Sequence, residues 1–87
     1  MEIILYDQAL EDLGFWKRSG QKIITKKITS LIEDIQNNSY SGLGKPEELK
    51  HELSGWWSRR INKEHRLIYR VEEGQIHILS MRFHYSS

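Results

Sequence analysis

A set of twelve side chains able to handle protons or phosphates lies between residue 45 and residue 85. It contains carboxylates, arginines and histidines, which are the parts that metal-free RNA cleavage requires. A base must take the proton of the 2′-hydroxyl, cations must offset the charge growing on phosphorus, and an acid must protonate the departing 5′-oxygen. Histidine suits proton transfer because its unperturbed pKa lies near neutrality. The set comprises Lys45, Glu47, Glu48, Lys50, His51, Arg59, Arg60, Arg66, Arg70, Arg82, His84 and Tyr85.

The positive charge of the chain is concentrated in one segment. The net charge is only +1, yet residues 45–70 carry seven basic and four acidic side chains, a net +3. Such clustering is typical of a surface that meets a polyanion. Exposed arginines are equally typical of weak ion pairs on a sheet, and Trp56 and Trp57 are typical of a small core. Composition and periodicity alone therefore favour a small α+β domain with a capacity to bind RNA.

Several other classes of site are excluded by the sequence. The chain has no cysteine, which removes disulfides, thiolate metal sites and thiol catalysis. Gly42 and Gly44 fit no phosphate-binding fingerprint, and His51 and His65 lack metal-site spacing. We therefore expect no metal and no cofactor. No long apolar run is present, so we expect a cytoplasmic protein with no membrane span.

At 87 residues, the chain is the size of one domain, covering residues 1–87. Residues 3–6 are apolar and predict a strand. Asp7 is a candidate N-cap for a first helix that ends at Ser19-Gly20. Its helical stripe comprises Ala9, Leu10, Leu13 and Trp16.

A second helix follows almost at once, and the two are expected to form an antiparallel hairpin. Its apolar stripe is Ile24, Ile28, Leu31 and Ile35, widened by Ile23 and Ile32.

A turn-rich loop, residues 37–46, separates the helices from strands predicted over 56–61, 66–71 and 75–85, with a tight turn at 72–74. The order predicts an α+β fold in which the helical hairpin covers one face of a small antiparallel sheet.

Three stretches of the chain carry a resemblance to a known family. Residues 42–61 read GLGKPEELKHELSGWWSRRI, residues 64–69 read EHRLIY, and residues 82–85 read RFHY. Together they resemble the YoeB/Txe branch of the RelE toxin superfamily, over essentially the whole chain. The resemblance implies a fold similar to microbial ribonucleases. It also implies an enzyme, the toxin of a type II toxin–antitoxin pair, that cuts mRNA in the ribosomal A site and inhibits translation.

The resemblance also implies roles for particular residues. Glu47 matches the general base of the family, His84 its general acid, and Arg66 the arginine that supports the scissile phosphate. The positions that hold the mRNA are matched by Lys50, Arg60 and Tyr85. Glu64 matches a polar site position whose role stays open, and the sequence leaves open whether Arg59 or Arg60 faces the RNA.

The resemblance implies partners as well. These are a cognate YefM/Axe-like antitoxin, the ribosome with its mRNA, and operator DNA reached only through the antitoxin complex. The sequence leaves the oligomeric state open, with a homodimer as one alternative. Two alternatives remain open. One is a non-nucleolytic toxin that binds gyrase, like the ParE relatives, and the other is a partner that mainly serves its antitoxin as co-repressor. The combination of Glu47, Arg66 and His84 favours the nuclease.

Overall fold

The computed structural model describes residues 1–83. Within that range two helices pack on one sheet of five strands. The elements are β1 (Glu2–Leu5), α1 (Asp7–Arg18), α2 (Lys22–Asn37), β2 (Glu47–Glu48), a 3₁₀ turn (His51–Leu53), β3 (Trp57–Arg60), β4 (Arg66–Glu72) and β5 (Gln75–Ser80). The predicted α+β architecture and the helical hairpin are confirmed. None of the helices in residues 1–83 has the length and apolar content needed to cross a membrane.

The sheet has the strand order β1-β5-β4-β3-β2. Strands β3 to β5 pair antiparallel, as predicted, and the short strand β2, which was not predicted, adds antiparallel to β3. Strand β1 adds to β5 in parallel. The sheet is therefore mixed. Parallel strands need a long connection, because a tight turn can join only antiparallel neighbours. Here the helical hairpin and strands β2 to β4 all lie between β1 and β5 in the chain.

Helix α1 begins one residue earlier than predicted, because Asp7 lies inside the helix and is not its N-cap. The N-cap is Tyr6 in an extended conformation, and Asp7 is the first helical residue. Ala9 and Trp16 are buried, but Leu10 is exposed and the third buried position is Asp12. The prediction for Leu10 is wrong because the buried stripe runs through a carboxylate that has a hydrogen-bonding role.

Helix α2 supplies the main apolar contact with the sheet. Its buried residues are Ile24, Ile28, Leu31 and Ile35, as predicted. They pack with Leu67, Tyr69, Ile76 and Ile78 of the sheet. Ile32 is half-buried against this core, while Ile23 is 85% exposed and does not widen the stripe.

Two boundaries near the candidate site differ from the predictions. Glu47 and Glu48 form the short edge strand β2 instead of continuing the loop. The last strand ends at Ser80, and within the described range it does not reach Phe83. The ladder stops there because β5 has already been bent by a bulge opposite Ile68 and Tyr69.

A buried guanidinium ties the loop between α2 and β2 to the sheet. Arg59 on β3 is fully buried. Its Nη1 donates to Asp34 Oδ2 at 2.6 Å and to the Leu43 carbonyl at 3.1 Å. Its Nε donates to the Tyr69 hydroxyl at 3.1 Å. The two remaining N–H donors, both on Nη2, bind the carbonyl oxygens of Asn38 and Ser41. All five N–H donors of the arginine are used internally.

Two glycines let the same loop lie this close to its neighbours. Gly42 has φ +105°, and a Cβ there would lie 2.2 Å from Asp34 Oδ2. Gly44 has φ +79°, and a Cβ would lie 3.0 Å from the Arg60 carbonyl oxygen. Any side chain at either position would be strained and would collide. The Arg60 N–H donates to the Gly44 carbonyl at 2.6 Å, which sets the position from which β2 starts.

Replacing Arg59 by methionine should strongly destabilise the protein. The change leaves the Asp34 carboxylate and three loop carbonyls without their donor, and breaking a buried ion pair typically costs about 3–5 kcal/mol. Urea denaturation measures the change. Arg60→Met, on the exposed neighbouring residue, is the matched control, and equal stability of the two variants would contradict the structural role.

Stability below pH 5 should depend on Asp34. Hydrogen bonds from Arg59 and from the Leu43 N–H hold the pKa of its carboxyl below the ordinary value. A carboxylate with a depressed folded pKa contributes stability that is present above its unfolded pKa, about 4, and that is lost as the pH falls through the folded value. Asp34→Asn should flatten the decline of unfolding free energy between about pH 5 and pH 2. The exposed Glu33→Gln should retain it, and identical acid profiles would refute the assignment.

Candidate active site

The register of three strands brings charged residues together on the sheet face opposite the helices. Glu47 lies across from Ser58, and Arg60 lies directly across from Arg66. Ser58 and Arg60 are two residues apart on β3, so their side chains share a face. Glu47, Arg60 and Arg66 therefore meet on one surface, which we call the charged face.

Arg66 is the least exposed member of this group, at 8%. Its Nη1 donates to carbonyl oxygens of the turn before β4, including that of Asn62 at 2.8 Å. Among residues 1–83 its side-chain hydrogen bonds all come from Nη1. The turn is itself held by the Asn62 side chain, whose Oδ1 accepts from the backbone N–H groups of Glu64 and His65. The guanidinium is thus held in place by one end while its other nitrogens can meet a ligand.

The electrostatics of Arg66 favour an anion. Burial lowers the pKa of its guanidinium, the neighbouring positive charge of Arg60 lowers it further, and the negative charge of Glu47 opposes both effects. Two arginines directly across from each other repel, and one carboxylate offsets that repulsion only in part. A phosphate placed between them would relieve it.

The chain after β5 is anchored beside Arg66 at two successive points. The Met81 N–H donates to Asp12 Oδ2 at 2.9 Å, and the Met81 carbonyl accepts from Trp16 Nε1 at 2.9 Å. Two residues later, the Phe83 N–H donates to His65 Nδ1 at 2.8 Å, and the Phe83 carbonyl accepts from the Arg66 N–H at 3.0 Å. Both anchors hold backbone groups, so they fix the path of the chain from Met81 to Phe83.

The other candidate residues are placed as follows. Lys50, Arg60 and Glu64 are exposed. Arg59 is fully buried with every donor engaged, so it presents nothing to an RNA, and of the two adjacent arginines Arg60 is the accessible one. His84 and Tyr85, predicted as general acid and RNA contact, lie outside the described residues.

Sequence reasoning missed the residues that hold the site in position. Asp12, Trp16, His65 and Asp34 act through long-range hydrogen bonds to backbone or to Arg59. One signal was available: Asp12 occupies a position in register with Ala9 and Trp16, where an apolar residue is expected. A carboxylate on the buried stripe of a helix indicates a specific partner.

Within residues 1–83 no group of three histidine, aspartate or glutamate side chains is arranged to hold a metal ion. Among those residues the site consists of one carboxylate and two guanidiniums on the sheet face opposite the helices. Such an arrangement can bind a phosphate and accept a proton from a group next to it.

Comparison with known proteins gives a consistent result. A family model described as the YoeB-like toxin of bacterial type II toxin–antitoxin systems matches residues 5–85. Toxin YoeB of Escherichia coli K12 is 44% identical over 85 residues, which cover 98% of this chain and 100% of the relative. The structure of a YoeB/ParE toxin from Agrobacterium tumefaciens superposes with a TM-score of 0.93 at 38% identity, covering 98% of this chain and 100% of the other.

The toxin of a Staphylococcus aureus YoeB–YefM heterotetramer superposes with a TM-score of 0.89 at 43% identity, covering 98% of each chain. A second structure of the S. aureus toxin is that of a YoeB dimer.

Replacing His65 by phenylalanine should loosen the chain at Phe83. The variant retains an aromatic ring against Trp16, 4.8 Å between centroids in the native protein, but removes the acceptor for the Phe83 N–H. Loss of one hydrogen bond worth about 1 kcal/mol should lower the exchange protection of the Phe83 amide about fivefold. The Met81 amide, bonded to Asp12, is the internal control. Unchanged exchange at Phe83 would show that His65 does not hold this segment.

Proposed function

Because this chain belongs to the YoeB-like toxins of bacterial type II toxin–antitoxin systems, we propose that it is a ribosome-dependent endoribonuclease that cuts mRNA in the ribosomal A site. The observation that carries the proposal is the meeting of Glu47, Arg60 and Arg66 on one sheet face, with the chain toward His84 anchored beside Arg66. These are the groups that phosphodiester cleavage needs. The proposed place of action is the cytoplasm, where ribosomes translate.

The proposed reaction is an in-line attack within the RNA itself. Glu47 accepts the proton of the 2′-hydroxyl, and the 2′-oxygen forms a bond to the adjacent phosphorus. The bond from phosphorus to the 5′-oxygen breaks, and His84 donates a proton to that oxygen. The products are a 2′,3′-cyclic phosphate and a 5′-hydroxyl. The two side chains supply both proton transfers, so the proposed mechanism requires no metal ion and no cofactor.

Arg66 is proposed to stabilise the charge that develops on the phosphorane. Its guanidinium is largely removed from water and is repelled by Arg60, so an anion there gains more than it would at an exposed arginine. Loss of one donor from a comparable oxyanion site costs about 3–4 kcal/mol of transition-state stabilisation. Lys50, Arg60 and Tyr85 are proposed to hold the mRNA. Glu64 is a further polar residue in the turn before β4.

The proposal includes a partner that holds the nuclease inactive. The S. aureus relative assembles with YefM, and we propose a YefM/Axe-like antitoxin for this chain. An acidic, partly disordered segment that folds over the charged face would wrap a large surface and could be removed by proteolysis. Operator DNA is proposed to be reached only through that complex. The dimer of the S. aureus toxin supports a homodimer as the unbound form.

Single-turnover cleavage of a defined mRNA on ribosomes tests the proton transfers. Glu47→Gln and His84→Gln should each lower the cleavage rate about 100- to 10,000-fold, because each removes one proton-transfer partner. Both should still bind ribosomes, since neither change removes a phosphate contact. The wild-type rate should persist in EDTA. The rate–pH profile should be bell-shaped, because one group must be ionised and the other protonated.

Glu48→Gln, on the adjacent residue of the same short strand, is the matched control and should cut at nearly the wild-type rate. A His84→Gln variant that is folded and fully active would remove His84 as the acid. If Glu47→Gln is equally active, the base lies elsewhere. Inhibition of gyrase supercoiling without cleavage would favour the ParE-like alternative, and a harmless chain that only enhances operator binding by its antitoxin would favour the co-repressor alternative.

A further inference from the structure

A second cluster lies on the charged face at some distance from Arg66. It consists of Arg70 on β4, Trp56 just before β3, His77 on β5 and Tyr6 just after β1. Arg70 lies directly across from His77. Arg66 and Arg70 are four residues apart on the same strand, so their side chains point to the same side at a separation of about 14 Å. We call this cluster the stacking platform.

The four side chains of the stacking platform are held by one another. The Arg70 guanidinium lies over the Trp56 ring, 4.7 Å from its centroid. The Tyr6 ring meets Trp56 edge-on with centroids 5.5 Å apart and meets His77 edge-on at 5.9 Å. The Tyr6 hydroxyl is hydrogen-bonded to His77 Nδ1 at 3.2 Å. All four are partly exposed, which is unlike the fully buried aromatic Tyr69 on the other face.

The charge of Arg70 is already offset by a neighbour. Arg70 Nε lies 3.4 Å from Glu72 Oε2, with the Arg70 side chain 36% exposed. Within the described residues that Nε makes no hydrogen bond, so the carboxylate neutralises the guanidinium without aligned bonding. The platform therefore offers a guanidinium stacked on the Trp56 ring, with the Tyr6 ring edge-on beside it and with the guanidinium charge partly offset by Glu72. A surface of this kind suits a flat nucleobase better than the carboxylates of an acidic peptide.

We infer that the stacking platform binds a base of the mRNA a few nucleotides from the scissile phosphate. The inference rests on the proposed function, which places the scissile phosphate at Arg66. Single-stranded RNA is commonly held by a basic groove whose aromatic side chains and arginine planes stack on unpaired bases. Here the phosphate-binding arginines and the stacking surface share one sheet face, so one strand can contact both.

The test uses ribosomes programmed with an mRNA that carries a 2′-deoxy nucleotide at the cut, which prevents cleavage and isolates binding. An abasic nucleotide is introduced at each neighbouring position in turn. Wild-type toxin should lose affinity at one such position by about fivefold or more, the range expected for a stacked base. Arg70→Ala should lose a similar factor on the intact mRNA and lose no more on the abasic one, because the two changes remove the same contact.

Arg70→Lys and Lys26→Ala separate stacking from charge. Lysine retains the positive charge but not the planar face, so Arg70→Lys should bind as weakly as Arg70→Ala. Lys26 is exposed on α2, on the opposite side of the sheet, and Lys26→Ala should bind like wild type. Trp56→Leu serves as a second variant of the platform, and its melting temperature checks that it is folded.

The outcomes distinguish this inference from the proposed function. If wild-type toxin cleaves on ribosomes but Arg70→Ala and Trp56→Leu bind every mRNA like wild type, the stacking platform has no RNA role and the nuclease proposal stands. The same conclusion follows if Arg70→Ala weakens binding of the antitoxin and leaves binding of mRNA unchanged. If wild-type toxin neither binds nor cleaves on programmed ribosomes, both proposals are wrong.

Discussion

The placement of the candidate site depends on one buried guanidinium. Arg59 takes its position from β3 and uses all its donors on α2, on Tyr69 and on the carbonyls of residues 38–43. Burial raises the pKa of Tyr69, so its hydroxyl keeps the proton that it donates to the Ser39 carbonyl at 2.7 Å. A loop of this length would otherwise sample many paths. Here the Arg59 guanidinium joins α2, β3 and the loop. The segment that leads to Glu47 follows directly, after the hydrogen bond between the Gly44 carbonyl and the Arg60 N–H.

A second set of hydrogen bonds does the same for the other end of the chain. Asp12 and Trp16 hold Met81, and His65 and Arg66 hold Phe83. The two anchored segments approach the start of β4 from different sides, one through β2 and one after β5. Arg66 lies between these two segments. Burial and the positive charge of Arg60 both lower the pKa of its guanidinium. The anchoring bonds hold backbone groups, while the side chains of Glu47 and Arg60 are exposed nearby.

The two faces of the sheet carry different kinds of residues. One face is covered by the helical hairpin and carries the apolar core, with Leu67, Tyr69, Ile76 and Ile78 at its centre. The other face carries Arg60, Arg66 and the stacking platform. On the other face Ile68 and Ser58 are also buried, while Glu47 and Arg60 are exposed. On the face without helices, the strand register places Glu47 across from Ser58 and Arg60 across from Arg66.

The sequence by itself determined most of the elements and the family. Local periodicity specified both helices and the strands β3 to β5, because amphipathic spacing depends only on neighbouring residues, and the motif around Glu47 and Arg66 indicated the family. Tertiary structure alone decided that β1 pairs in parallel, that the buried polar position of α1 is Asp12, and which of two adjacent arginines is accessible. Arg59 and Arg60 are the same residue type, one position apart on a strand. Successive side chains point to opposite faces, so the strand register sends one guanidinium into the core and the other to the surface. That register is set by pairing with residues distant in the chain, and no local pattern contains it.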